Sequence, residues 1–171
     1  ARQPLPTPGA PVTARAGYEP VLPLARRTAP HAVLEAVVVE LDRDAAGALL
    51  ILEFRYSFRG CADQNQRRIR RLHGFDIVLD PEAGMLAVTA MEREFEQATD
   101  ATEWAELIAS TPLVPLALGP WLCDLDQALP VALAALDAQA GTGRAALDSA
   151  SLYVNQDGAP YWQVVAWNGE D

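Results

Sequence analysis

Apolar and polar residues alternate with period two along much of the chain, and this pattern predicts a protein built mainly from β-hairpins. Ala32 to Leu41 is rich in valine. Ala48 to Arg59 alternates cleanly, with Leu50, Leu52, Phe54, Tyr56 and Phe58 on one side and Glu53, Arg55, Ser57 and Arg59 on the other. Such alternation marks a half-buried strand. The connection Asp42-Arg43-Asp44-Ala45-Ala46-Gly47 has turn composition. A polar, basic stretch runs from Gly60 to Gly74. A second hairpin follows: Phe75, Ile77 and Leu79 alternate with Asp76, Val78 and Asp80, Pro81-Glu82-Ala83-Gly84 turns, and Met85 to Phe95 returns. A third hairpin closes the chain, with Ser151 to Val154 and Tyr161 to Trp167 joined by Asn155-Gln156-Asp157-Gly158.

Between the second and third hairpins the period changes to that of a helix. Asp100 with Glu103 three residues on has the form of a capping box, and Trp104, Leu107 and Ile108 then share one face before Pro112 and Pro115 intervene. A further helix is expected from Asp124 or Asp126, with Leu129, Leu133 and Leu136 on one side and Gly141 at its end. Hairpins on either side of a helical stretch predict an α+β domain: an antiparallel sheet of five to seven strands with about two helices packed on one face.

The first thirty residues look different. Pro4, Pro6, Pro8, Pro11, Pro20, Pro23 and Pro30 fall within them. Proline at that density disfavours helices and central strands. Residues 1–30 are therefore expected as an extended, polyproline-like arm and 31–171 as the single folded domain. The arm is expected to be pinned by the domain or by a partner through Tyr18, Val21, Leu22 and Leu24.

Composition narrows the function. Residues 1–31 hold four Arg and one Glu, whereas the remainder holds nine Arg and twenty-two acids, within a net charge of −10. An acidic body lacks the basic footprint that phosphate backbones require, so a general nucleic-acid binder is excluded. No apolar run reaches the length of roughly 20 residues that a membrane-spanning helix needs. Ala1 in first position is what removal of a signal peptide leaves, so a periplasmic or extracellular protein is expected. In such an oxidising compartment Cys61 and Cys123 are expected to pair; the alternative is two separate buried thiols.

Two segments resemble the PepSY and cystatin-like class of small exported domains. Asp76-Ile77-Val78-Leu79-Asp80-Pro81-Glu82-Ala83-Gly84-Met85-Leu86 is similar to their central hairpin, and the helix Asp126 to Gln139 followed by the hairpin Leu152 to Val165 is similar to their second half. The resemblance covers less than half of the chain. It implies an extracytoplasmic binding or inhibitory module without catalytic residues.

The candidate chemistry is sparse. No Gly-rich strand-to-helix loop is present to hold a nucleotide, and no cofactor is expected. Asp42, Asp44, Gly47, Leu49 and Glu53 match positions of a calcium loop. Ala46 breaks the ligand set, however, and strand-like flanks favour a plain turn. His31 and His73 are too dispersed for a metal site. Cys61, His73 and Asp76 form only a formal nucleophile triad. Glu92, Glu94 and Glu96, or Asp124 and Asp126, are carboxylates that a hydrolase would need to cluster in a pocket. Arg67, Arg68, Arg70 and Arg71 form a basic cluster suited to a phosphate, a lipid headgroup or an acidic partner, or simply to pairing with the acidic body.

The last hairpin is apolar on both faces: Tyr153, Tyr161, Val165 and Trp167 share one, Leu152, Val154, Trp162 and Val164 the other. One face packs on the core, and the second needs cover from the arm, a helix or a partner. These features predict a non-catalytic exported subunit that docks on a larger, membrane-associated protein assembly through the arm and the final hairpin. The alternative functions are a free-standing periplasmic peptide-binding or inhibitory module and, less in keeping with the residues, a carboxylate hydrolase.

Overall fold

The computed structural model describes residues 2–4, 13–29, 32–45, 48–64, 69–98, 102–103, 105–106, 115–119, 122–140, 146–155 and 157–167. For 2–4, 60–64, 69–73, 90–98, 139–140, 146 and 167 only the backbone is described. The elements are β1 (Arg2–Pro4), α1 (Ala14–Thr28), β2 (Val33–Arg43), β3 (Leu49–Gln64), β4 (Ile69–Asp80), β5 (Met85–Ala98), α2 (Leu125–Ala140), β6 (Ala146–Val154) and β7 (Pro160–Trp167). The strands form one antiparallel sheet in the order β1-β5-β4-β3-β2-β6-β7. Both helices lie over the same face, so the fold is α+β, as expected. The helical turn residues Thr102 and Glu103 are described, whereas Asp100, Trp104, Leu107 and Ile108 lie outside the described residues.

The three hairpins arise where turn chemistry permits them. Asp44 Oδ1 accepts the Ala48 N–H at 2.8 Å, Asp80 Oδ1 accepts the Ala83 N–H at 2.8 Å, and Asn155 Oδ1 accepts the Asp157 and Ala159 N–H groups at 3.0 and 2.8 Å. These short polar side chains hold the turns that the composition promised. Gly84 and Gly158 take positive φ angles of 63° and 80°, which other residues adopt only with strain.

The inner face of the sheet is the core. Phe54, Tyr56 and Phe58 of β3, Phe75, Ile77 and Leu79 of β4, Val37 and Val39 of β2, and Ala150 and Leu152 of β6 are all buried. Phe58 stacks on Phe75 with ring centroids 5.3 Å apart. The outer face carries a polar ladder: Arg55 Nη2 lies 2.7 Å from Glu53 and 3.3 Å from Glu40, and Arg59 Nε lies 2.9 Å from Glu35. The hydrogen bond that Arg55 donates to Glu53 holds its guanidinium above its usual pKa. Such partly exposed pairs contribute on the order of 0–1 kcal/mol each.

The expected single face of Leu50, Leu52, Phe54, Tyr56 and Phe58 is divided. Glu40 pairs with Glu53, but Leu41 pairs with Ile51, so Leu52 is an extra residue in β3. This bulge reverses the alternation. Ile51 and Leu49 then pack on the core, while Leu50 and Leu52 stay 42% and 43% exposed.

The polar, basic stretch Gly60 to Gly74 is strand over its described residues. β3 and β4 pair continuously from Arg59↔Gly74 out to Gln64↔Ile69. Backbone ladder bonds do not depend on side-chain polarity, so a hairpin can extend past its apolar base. Arg70 and Arg71 are strand positions within this extension, and Arg67 and Arg68 lie outside the described residues.

Part of the segment expected as an extended arm is helical. Residues 14–28 form a helix that contains Pro20 and Pro23. The helix forms because Ala14, Gly17, Val21, Leu24 and Ala25 recur at helical spacing and are buried, while Pro23 lies exposed on the far side. Burial of that stripe outweighs the missing proline N–H groups, each of which costs about 3 kcal/mol in a helix interior. Arg26 and Arg27 in the last turn suit the negative end of the helix dipole. Of the expected anchors, Val21 and Leu24 are core residues, Leu22 is half-buried, and Tyr18 packs on Tyr56 and Phe58 with centroids 6.1 and 6.3 Å away. The core thus includes part of the segment expected to be an arm; residues 5–12 lie outside the described residues.

Gly17 allows α1 to lie directly on Tyr56, whose hydroxyl occupies the space that a Cβ at position 17 would take. Gly17→Ala is expected to destabilise the fold by about 1–3 kcal/mol through overpacking, despite a helix-propensity gain of up to about 1 kcal/mol. In a Tyr56→Phe background the clash is relieved, and the cost measured by urea unfolding should fall below about 1 kcal/mol. Equal costs in both backgrounds would refute the contact.

Burial, reinforced by Asp124, raises the Tyr56 pKa well above the ordinary tyrosine value of 10.0; burial also raises Tyr18, against the opposing field of Arg26. Above pH 10.0 the unfolded chain loses these protons while the folded chain keeps them. The folded state then binds more protons, so stability is fully present below that pH and declines above it. Unfolding free energy should be flat to about pH 9.5 and then fall by up to about 1.4 kcal/mol per pH unit through Tyr56, with a smaller part from half-exposed Tyr18. Tyr56→Phe should shallow that slope in urea titrations.

Candidate functional site

The most distinctive arrangement in the molecule begins at one carboxylate. Asp124 is buried. Its Oδ1 accepts the Ala14 N–H at 2.9 Å and the Leu125 N–H at 2.7 Å, and its Oδ2 accepts the Arg15 N–H at 3.1 Å. Its backbone carbonyl accepts from Ala128 N–H at 2.9 Å, which makes it the N-cap of α2. Thr13 completes the start of α1, with its Oγ1 accepting the Ala16 N–H at 3.1 Å. One aspartate therefore satisfies the first two N–H groups of α1 and caps α2. Tyr56 Oη donates to the Ala14 carbonyl at 2.8 Å, and Arg15 Nη2 donates to the Leu122 carbonyl at 3.1 Å.

From this clamp α2 runs alongside β7. Leu125 and Leu129 face the core, with Leu133 and Leu136 partly buried behind them. The adjoining side of the helix carries small residues, Ala128, Ala132 and Ala135, so it does not close on Trp162 and Val164 of β7. A groove of about 760 Å³ remains between them, with Leu122 and Cys123 at its head and Val131, 73% exposed, on its rim. The volume and the largely apolar walls are those of a ligand cleft. Trp162 is fixed at the head of the groove, its Nε1 donating to the Cys123 carbonyl at 2.9 Å.

β7 is the last strand of the sheet, and its outward edge is unpaired among the described residues. The opposite edge differs, because β1 pairs with Met85 to Ala87 of β5 and covers it there. Natural edge strands are guarded by charges, bulges or brevity. β7 reads Pro-Tyr-Trp-Gln-Val-Val-Ala-Trp, eight residues without a charge, with Pro160 at the first position and a register shift in its ladder with β6 between Leu147 and Ser149. On the outer face of the same hairpin Tyr153 and Tyr161 lie against each other with centroids 6.1 Å apart, and Tyr161 and Val165 are 46% and 40% exposed. No described residue covers them. The side chain of Trp167 lies outside the described residues.

The other candidate residues fall elsewhere. Cys123 is an exposed free thiol, and the side chain of Cys61 lies outside the described residues, so the expected pairing is not seen. Cys61 is opposite Leu72, His73 opposite Gly60 and Glu94, and Asp76 opposite Ser57. Asp44 holds the first turn in place of a calcium loop. Asp124 has its oxygens engaged in the clamp, and Asp126 is exposed beside it; the side chains of Glu92, Glu94 and Glu96 and the whole of His31 lie outside the described residues. Among the described residues no three metal-ligating side chains converge, and no helix is long and apolar enough to cross a membrane. Sequence reading named Tyr161 but missed the groove, whose signal is the row of alanines on α2 opposite Trp162 and Val164. It also missed the clamp, because Asp124 and Ala14 are 110 residues apart.

Comparison with family models, with curated proteins and with solved structures found no match to this chain.

Asp124→Ala removes the acceptor for three N–H groups, and hydrogen bonds to a charged group contribute roughly 1.5–3 kcal/mol each. The variant is expected to lose about 3–5 kcal/mol in chemical denaturation, and Asp124→Asn, which keeps one acceptor oxygen, about half of that. A loss below about 1 kcal/mol would show that the two helix starts do not depend on this carboxylate.

Proposed function

We propose that this protein is a non-catalytic interaction module that docks on a larger protein assembly, and that the last hairpin with its adjoining groove is the working surface. The observation that carries the reading is the uncharged β7 edge, unpaired among the described residues and flanked by an apolar groove on one side and by exposed Tyr161 and Val165 on the other. Exposed apolar surface of this kind is the usual mark of a protein contact. Aromatic residues such as Tyr161 also supply much of the binding energy at such contacts. α1 is part of the core, so residues 14–28 serve the fold, and docking falls to the hairpin. A free-standing peptide-binding module is the second reading, since the same groove suits it.

The native mass of the particle that holds this chain, gently extracted from its source, separates the two. A stoichiometric assembly is expected, and Tyr161→Arg with Val165→Arg should release the chain from it without changing its thermal unfolding. A particle of the chain's own mass would favour the free-standing module. An assembly indifferent to both substitutions would move the docking surface off the hairpin.

A further inference from the structure

We infer that β7 receives an extended, basic and apolar segment of a partner protein as an eighth strand of the sheet, with alternate side chains of that segment entering the groove beside α2. The inference rests on the interaction reading above and names its partner chemistry.

Three observations lead to it. An unpaired strand edge offers a row of N–H and C=O groups that another extended chain can satisfy, which is the basis of strand addition. β7 offers that row over eight residues without a charge to repel a neighbour. Beside the edge, Ala128, Ala132 and Ala135 on α2 and Trp162 and Val164 on β7 leave room for side chains that point inward from an added strand. Alternate residues of a strand point to opposite faces, so the groove selects apolar residues at every second position.

Charge then selects the remaining positions. Among the described residues, the exposed charged side chains of the α2–β6–β7 unit are Asp126, Asp148 and Asp157, all acidic. Of the described arginines, Arg15 donates to the Leu122 carbonyl and Arg43 lies 3.8 Å from Asp137. A segment with Arg or Lys between its apolar residues complements that frame. A second copy of this chain does not, because it brings the same acids and a net charge of −10 to the same edge.

The test uses the full chain and three fluorescein-labelled octapeptides: alternating Val and Arg, alternating Val and Glu, and the Val–Arg peptide with N-methylated backbone. Fluorescence anisotropy at physiological salt should show saturable binding of the Val–Arg peptide, at least tenfold tighter than the other two. Hydrogen exchange should show that it protects amides within residues 161–167. Ala135→Trp, which fills the groove from an exposed helix position, should weaken binding at least tenfold with an unchanged thermal melt.

Equal binding of the N-methylated peptide, binding without protection of β7, or no binding of any peptide would overturn strand addition. A dimer that already protects residues 161–167 in the absence of peptide would assign the edge to a second copy, and so would also overturn it. If the peptides fail while association in the native assembly still depends on Tyr161 and Val165, strand addition falls and docking through the hairpin stands. If both fail, the interaction surface itself is misplaced.

Discussion

The fold depends on one buried carboxylate placed where two helices begin. A helix start exposes N–H groups that have no partner within the helix, and burying them unsatisfied costs free energy. The starts of α1 and α2 converge at Asp124, so their positive dipole ends would oppose each other without a negative charge between them. Asp124 supplies that charge and accepts N–H groups from both. An ionised side chain is costly to bury alone, and here the three N–H donors offset that cost. The Tyr56 hydroxyl secures the first turn of α1 from the sheet side, and Gly17 leaves the space for it.

That clamp fixes more than local geometry. It sets where α2 starts, and its small residues then leave a groove along β7 in place of a closed interface. It also places Cys123 and Leu122 at the head of the groove, where the Cys123 carbonyl orients Trp162. The shape of the candidate site therefore follows from a structural capping interaction, with no catalytic group required.

The two edges of the sheet are finished differently. At one, Arg2–Pro4 adds a short strand to β5; at the other, β7 ends the sheet, and among the described residues no strand pairs with its outer edge. The two faces differ as well, with packed aromatics beneath the helices and the Arg55 and Arg59 ion pairs on the open side. At the first edge β1 covers Met85 to Ala87 of β5, whereas the β7 edge carries no charge along its eight residues.

Much of this was legible in the sequence. Three hairpins, their turn residues, the second helix and the α+β class all follow from period and turn chemistry, which act over a few residues. The two apolar faces of the last hairpin were also legible, because alternation fixes them strand by strand. What the local pattern did not decide has a common cause: each feature depends on residues far apart in sequence. Prolines argued against α1, but the stripe from Ala14 to Ala25 is stabilised by burial against Tyr56 and Leu79. Alternation placed Leu50 and Leu52 in the core, but pairing with β2 inserts a bulge that turns them out. Asp124 read as a simple helix start, and only the approach of Ala14 and Arg15 makes it the joint of two helices. The sequence by itself determined which segments become strands and which residues turn them. Tertiary structure decided which helix is tolerated, which apolar residues are left exposed and which edge remains open, because those outcomes are set by packing between elements and not by propensity within them.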